Sequence, residues 1–209
     1  MRKRKRIFLL SAAFLCIFLM TGCGKVSTKS PEAVVKSMLQ AYQEKDQDSI
    51  LKCMGLDPDK KCEEAVQDEI NYNMKLFQAH KAENISVEKA DVLGEKKKNR
   101  LVYTWFYYEI KDKKETIKVP SMAFYFVKEE DKKYYVVPAK DVTDEMSEYS
   151  RTEYEKFKES QDYKEYKKSY KEFIRENPKY ETNLEINYQE LTETKEKEEE
   201  QAAGGDCLL

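Results

Sequence analysis

The spacing of apolar residues changes character several times along the chain. Residues 7–20, IFLLSAAFLCIFLM, carry no charge, yet fall short of the ~20 apolar residues of a membrane span. From Ser30 onward apolar residues recur every three or four positions. Val34, Val35, Met38, Leu39 and Tyr42 share one face and predict a helix. Ser30 stands as its N-cap, Pro31 opens the first turn, and Glu32 meets the positive end of the dipole. The stripe stops near Lys45-Asp46. A short second helix is expected from about Asp48 to Met54, closed by Gly55. Asp57-Pro58 then opens a longer one, striped by Cys62, Val66, Ile70, Met74 and Phe77 and ending near Lys81.

Beyond that point the period drops to two. Ile85 to Leu93 reads as a strand, and GEKKKN (residues 94–99) as a turn. LVYTWFYYEIK, residues 101–111, is apolar on both faces and predicts a central strand. Glu115 to Val127 returns, with Pro120 marking an edge or a bulge. Lys133 to Pro138 is the last strand. Short polar turns between them predict an antiparallel meander of four strands.

Helical spacing resumes over 141–176, with Asp141 or Thr143 as cap and a break near Ser160-Gln161. Met146, Tyr149, Tyr154 and Phe157 form one stripe; Tyr163, Tyr166, Tyr170, Phe173 and Ile174 form a second. Asn177-Pro178 ends the helix. Leu184, Ile186 and Tyr188 alternate, as in a short added strand. Residues 193–209 are charged, then small and irregular, and read as a loose, disordered tail. The expected fold class is therefore α+β. N-terminal helices pack on a curved four-stranded antiparallel sheet over 31–139, with a helical extension over 140–192.

Composition narrows the function. The chain is 37% charged and 12% aromatic, and its net charge of −2 becomes −7 once the five basic residues at 2–6 are removed. A mildly acidic surface with intermixed Lys and Glu does not suit nucleic acid. One histidine, His80, cannot build a His-based metal site or a Ser-His-Asp triad. The residues call for no cofactor and no metal. Cys53 and Cys62 are close in sequence and stand around a helix-to-helix turn. They form either a disulfide or a pair of buried thiols.

The N-terminus carries a motif. Arg2-Lys3-Arg4-Lys5-Arg6, the apolar run and then Met20-Thr21-Gly22-Cys23 have the order of an export signal. The segment resembles bacterial lipoprotein signals, whose lipobox has an aliphatic residue, two small residues and a Cys. Met20 departs mildly, standing where Leu is commonest. The resemblance implies that residues 1–22 are removed and that Cys23 receives diacylglycerol on sulfur. The chain would then sit lipid-anchored on the extracytoplasmic face of a cell membrane, with residues 23–30 as a tether. An uncleaved anchor helix is the alternative.

The layout of SPEAVVKSMLQAYQEKDQDSILKCM followed by NISVEKADVLGEKKKNRLVYTWFYYEI resembles the nuclear-transport-factor-2-like superfamily over Ser30 to about Pro138. That implies a bent sheet wrapped around helices, with a pocket at the open end of the cone. Such folds host enzymes and pure binding domains alike. Tyr103, Trp105 and Tyr107 share one alternation with Met122, Phe124 and Phe126, and make the candidate pocket wall. Val102, Phe106, Tyr108 and Ile110 on the other alternation are equally apolar, so the pattern leaves open which set faces inward. A pocket so lined suits an apolar small molecule. Asp91 is the candidate carboxylate on a strand, against an ordinary solvent-facing role. His80 suits a helix end, and the Tyr/Lys/Glu-rich stretch 154–180 suits either a partner or the domain's own surface. Without a catalytic constellation, the expected function is a non-enzymatic ligand- or protein-binding module of the cell envelope. An isomerase or lyase in the cone is the second reading, and an accessory subunit bound to an envelope protein partner the third.

Overall fold

A computed structural model describes residues 26–112 and 115–204, with side chains through Glu193 except that of Asp112. The signal, Cys23 and Cys207 lie outside the described residues. Among the described residues the fold is α+β, with six α-helices and one four-stranded antiparallel sheet in the order β1-β2-β3-β4.

Helix α1 (Pro31–Glu44) begins as its caps dictate: Ser30 Oγ accepts from Ala33 N at 3.2 Å. It ends on Lys45 in the left-handed region, φ 60°. Asp46 caps α2 (Gln47–Cys53), accepting from Ser49 N at 3.0 Å. Helix α3 runs Glu64–Ala79, starting well after Asp57-Pro58. Asp57 instead accepts from the backbone of Asp59 at 3.1 Å. The Asp-Pro signal therefore makes a turn, and α3 starts without a side-chain cap.

Strands β1 (Asn84–Lys96), β2 (Asn99–Asp112) and β3 (Glu115–Glu130) are long, whereas β4 (Lys133–Val136) is short. The irregularities lie in β1, at Val87/Lys89 and Val92/Gly94. Pro120 causes none: β3 continues through it in register with Tyr107. It is tolerated because β4 pairs only with Val127 to Glu130, which leaves β3 an edge strand at Pro120.

Both faces of the sheet are covered. Val102, Phe106, Tyr108, Val119 and Val127 pack into one core with Val34, Val35, Met38, Tyr42, Ile70 and Phe77 from α1 and α3. The other face carries Tyr103, Trp105 and Phe124. It meets α4 (Asp144–Phe157) and α5 (Gln161–Glu176). Thr143 and Ser160 cap these helices, and Ser160 supplies the expected break. Helix α5 then passes beside the uncovered part of β3. It delivers Phe173 into the core on the opposite face, with Ile174 and Tyr180 packed against the same core.

Other expectations need correction. Leu184, Ile186 and Tyr188 belong to α6 (Tyr180–Gly204), not to a strand. The helical backbone continues through the stretch read as a loose tail as far as Gly204. Tyr180, Leu184, Tyr188 and Leu191 also recur at helical spacing, and Asn187 Nδ2 donates to Ala79 O at 2.9 Å, holding α6 on the end of α3. Residues 26–30, expected to belong to a tether, are also held. Val26 packs against the core, Ser27 N donates to Ser37 Oγ at 3.1 Å, and Tyr134 N donates to Thr28 O at 3.0 Å. Residues 26–30 are part of the folded body.

Candidate functional site

The candidate wall residues Tyr103, Trp105, Tyr107, Phe124 and Phe126 do come together on one face. It is the face turned away from α1 and α3. Instead of lining an opening, they meet the C-terminal helices. Tyr103 lies 4.5 Å from Phe157 ring to ring, and Phe124 stands edge-on to both Tyr154 and Phe157. Trp105 meets Tyr166 edge-on at 6.2 Å. Phe126 is buried with Leu101, Val137 and Met146. Tyr107 stays half-buried, under the Lys118 ammonium. Asp162 in the first turn of α5 accepts from Lys89 Nζ at 2.6 Å and from Tyr103 OH at 2.5 Å. Those two bonds, Lys89 first, hold its carboxyl below the usual range.

The inner face holds a different set of polar groups, of which the periodicity had singled out only Tyr42. Tyr42 is buried and Tyr125 half-buried near Glu69 of α3. Burial raises the pKa of Glu69, while Ala139 N donates to its Oε2 at 2.7 Å and opposes the shift. Glu69 stands next to Ile70 in the buried stripe, which was its only signal. Asp91, the carboxylate that the strand pattern offered, is exposed and accepts from Val92 N.

His80 closes the inner face. Its ring stacks on Tyr108 at 3.7 Å, and its Nδ1 shares a 2.5 Å hydrogen bond with Tyr180 OH. Burial pushes its pKa down to about 4, so at neutral pH the imidazole is uncharged. It is not the cationic helix cap that its position suggested. Phe173 meets Tyr180 edge-on at 4.9 Å. Phe173, Tyr180 and His80 pack together against the inner face.

Cys53 and Cys62 are free thiols. Both pack against the same core, Cys53 buried and Cys62 half-buried. Burial pushes the Cys53 thiol up to about 12, which makes it an inert small hydrophobe. Cys62 lines a recess of about 280 Å³ floored by Leu51, Val66 and Pro138 and rimmed by Lys60 and Lys140. Lys140 is already paired with Glu63 at 3.0 Å and Asp141 at 3.3 Å.

Exposed apolar surface gathers at α3 and α6. Tyr72 is 55% and Ile186 46% exposed, and Tyr72 meets Tyr188 edge-on at 5.9 Å. Among the described residues no helix is long and apolar enough to cross a membrane, and no group of three or more His, Cys, Asp or Glu is placed to hold a metal. Compared with known proteins, the chain matches no family model, no curated protein and no solved structure.

Proposed function

We propose that this chain is a lipid-anchored bacterial envelope protein, held through Cys23 on the extracytoplasmic face of a cell membrane, and that it binds a protein partner through its outer surface without catalysing a reaction. The body is read as a nuclear-transport-factor-2-like domain whose cone is filled by its own C-terminal extension. The observation that carries this is the placement of Phe173 and Tyr180 against the inner face. On this reading, side chains of the chain itself take the position of a small-molecule ligand, while the outer aromatic face is engaged by α4 and α5. What remains for recognition is surface, where Tyr72 of α3, which meets Tyr188, and Ile186 of α6 are exposed large apolar residues. A photo-reactive residue placed at Tyr72 or Ile186 should cross-link one discrete envelope protein in intact membranes, whereas one at the exposed Lys164 should not. Equal or absent cross-linking at all three sites would sink the reading.

One observation favours a second reading, an isomerase or lyase. Glu69 is a half-buried carboxylate with a raised pKa that interacts electrostatically with Tyr42 and Tyr125, the type of base such enzymes use. Glu69→Gln would then abolish turnover of a carbonyl substrate while leaving the fold intact. A substrate screen in which the parent and this variant are equally silent removes that reading.

A further inference from the structure

The folded body begins only three residues after the proposed lipid acceptor. Val26 is packed, Ser27 is bonded to α1, and Thr28 is bonded to β4. Three residues span at most roughly 10 Å whatever their conformation. The point of attachment also has a definite place in the sheet. Thr28 meets Tyr134, next to the turn that joins β3 to β4. Because Asn99 pairs with Lys128, the β1–β2 turn lies at that same end. The opposite end, where Lys111 pairs with Thr116, is up to about 40 Å away along β3 at ~3.3 Å per residue.

We infer that the end of the sheet bearing the β1–β2 and β3–β4 turns is held against phospholipid headgroups, while the β2–β3 end projects away from the membrane. This rests on reading Cys23 as the lipid acceptor. A diacylglyceryl chain buried in the bilayer places Val26 within one short tether of the headgroups. Lys29, Lys132 and Lys133 are exposed cations at this end, with Lys97 and Lys98 in the neighbouring turn. Their acidic neighbours Glu130 and Asp131 share the corner, and Glu145 pairs with Lys96 and Lys97. Charge alone does not select this end. A lysine near an anionic surface is attracted wherever it stands, and the sequence KDKKE at 111–115 makes the far end basic too. The covalent limit selects it. The lysines turned toward the surface favour anionic headgroups once the tether has set the orientation.

The test uses the full chain, processed in cells, purified and placed in vesicles of phosphatidylethanolamine and phosphatidylglycerol. Cys62 and Cys207 are changed to serine, and Cys53 stays because it is buried. A nitroxide is attached at Lys132→Cys or at Thr116→Cys, and a nickel chelate is carried on lipid headgroups. The label at 132 should be relaxed several-fold more strongly than the label at 116. Twenty flexible Gly/Ser residues inserted between Lys25 and Val26, with a typical reach of roughly 25 Å, should shrink that difference. Equal relaxation at both sites in a chain whose N-terminal peptide carries diacylglycerol overturns this inference alone. A difference unchanged by the insertion overturns the role of the tether. An N-terminal peptide without diacylglycerol overturns the anchor reading and the inference with it.

Discussion

At the scale of residues, the informative group is an uncharged imidazole. His80 stacks on Tyr108 and shares a hydrogen bond with Tyr180, and burial holds its pKa at about 4 against an ordinary 6.5. The unfolded chain therefore binds a proton between pH 6.5 and 4 that the folded chain refuses. Stability due to this group is fully present above pH 6.5 and is lost as pH falls toward 4. The shift corresponds to about 3 kcal/mol as an upper figure. Glu69 acts in the opposite sense. Its folded pKa is raised, so its penalty is present at neutral pH and is relieved as the pH falls through that value. Comparing His80→Gln with the parent isolates the histidine. Urea midpoints of the parent should fall between pH 6.5 and 4 by clearly more than those of the variant. Parallel curves would remove the proposed burial of neutral His80. His80 was visible in the sequence only as a residue near a helix end. Its partner Tyr180 lies 100 residues away, beyond the reach of any local pattern.

Among elements, α4 lies so close to β1 that a methyl group matters. A Cβ on Gly94 would fall 2.2 Å from Tyr149 Oη but 3.4 Å from its Cζ. Gly94→Ala should cost about 1–3 kcal/mol, as overpacking does. Removing the hydroxyl in the double variant Gly94→Ala/Tyr149→Phe should recover most of that in denaturant titrations. No recovery would show that the helix and strand are not in contact there. The caps at Ser30, Thr143 and Ser160 and the long strands could be read from sequence because each depends on neighbouring residues. Other features depended on distant partners. The alternation of β2 left open which face turns inward because helices cover both faces. Tyr103 and Phe106 are therefore buried on opposite sides by different parts of the chain. In α6, Leu184, Ile186 and Tyr188 fit a period of two, while Tyr180, Leu184 and Tyr188 fit a helix. Docking on α3 selects the second pattern and leaves Ile186 exposed. Cys53 and Cys62 were close in sequence, but both belong to one apolar cluster as thiols.

For the whole molecule, the C-terminal third serves both faces of the sheet. Phe157 and Tyr166 meet the outer aromatic layer, and Phe173 and Tyr180 close the inner one. A chain ending after Glu159 keeps the sheet and α1–α3 but loses α5 and α6. It should bind an apolar fluorescent dye that the full chain does not bind, and its cooperative thermal transition should broaden or disappear. A truncated form that melts sharply and binds no dye would make the extension an independent appendage.

The path of α5 from one face to the other also has a consequence in time. Synthesis runs from the N-terminus, so the sheet is complete before the residues that cross its open edge exist. During that interval β3 offers bare backbone from Glu115 to Phe126, flanked by uncovered rings, to any neighbouring nascent chain. Substitutions that slow the seating of Phe173 will therefore lower the yield of folded protein far more than they lower its melting temperature.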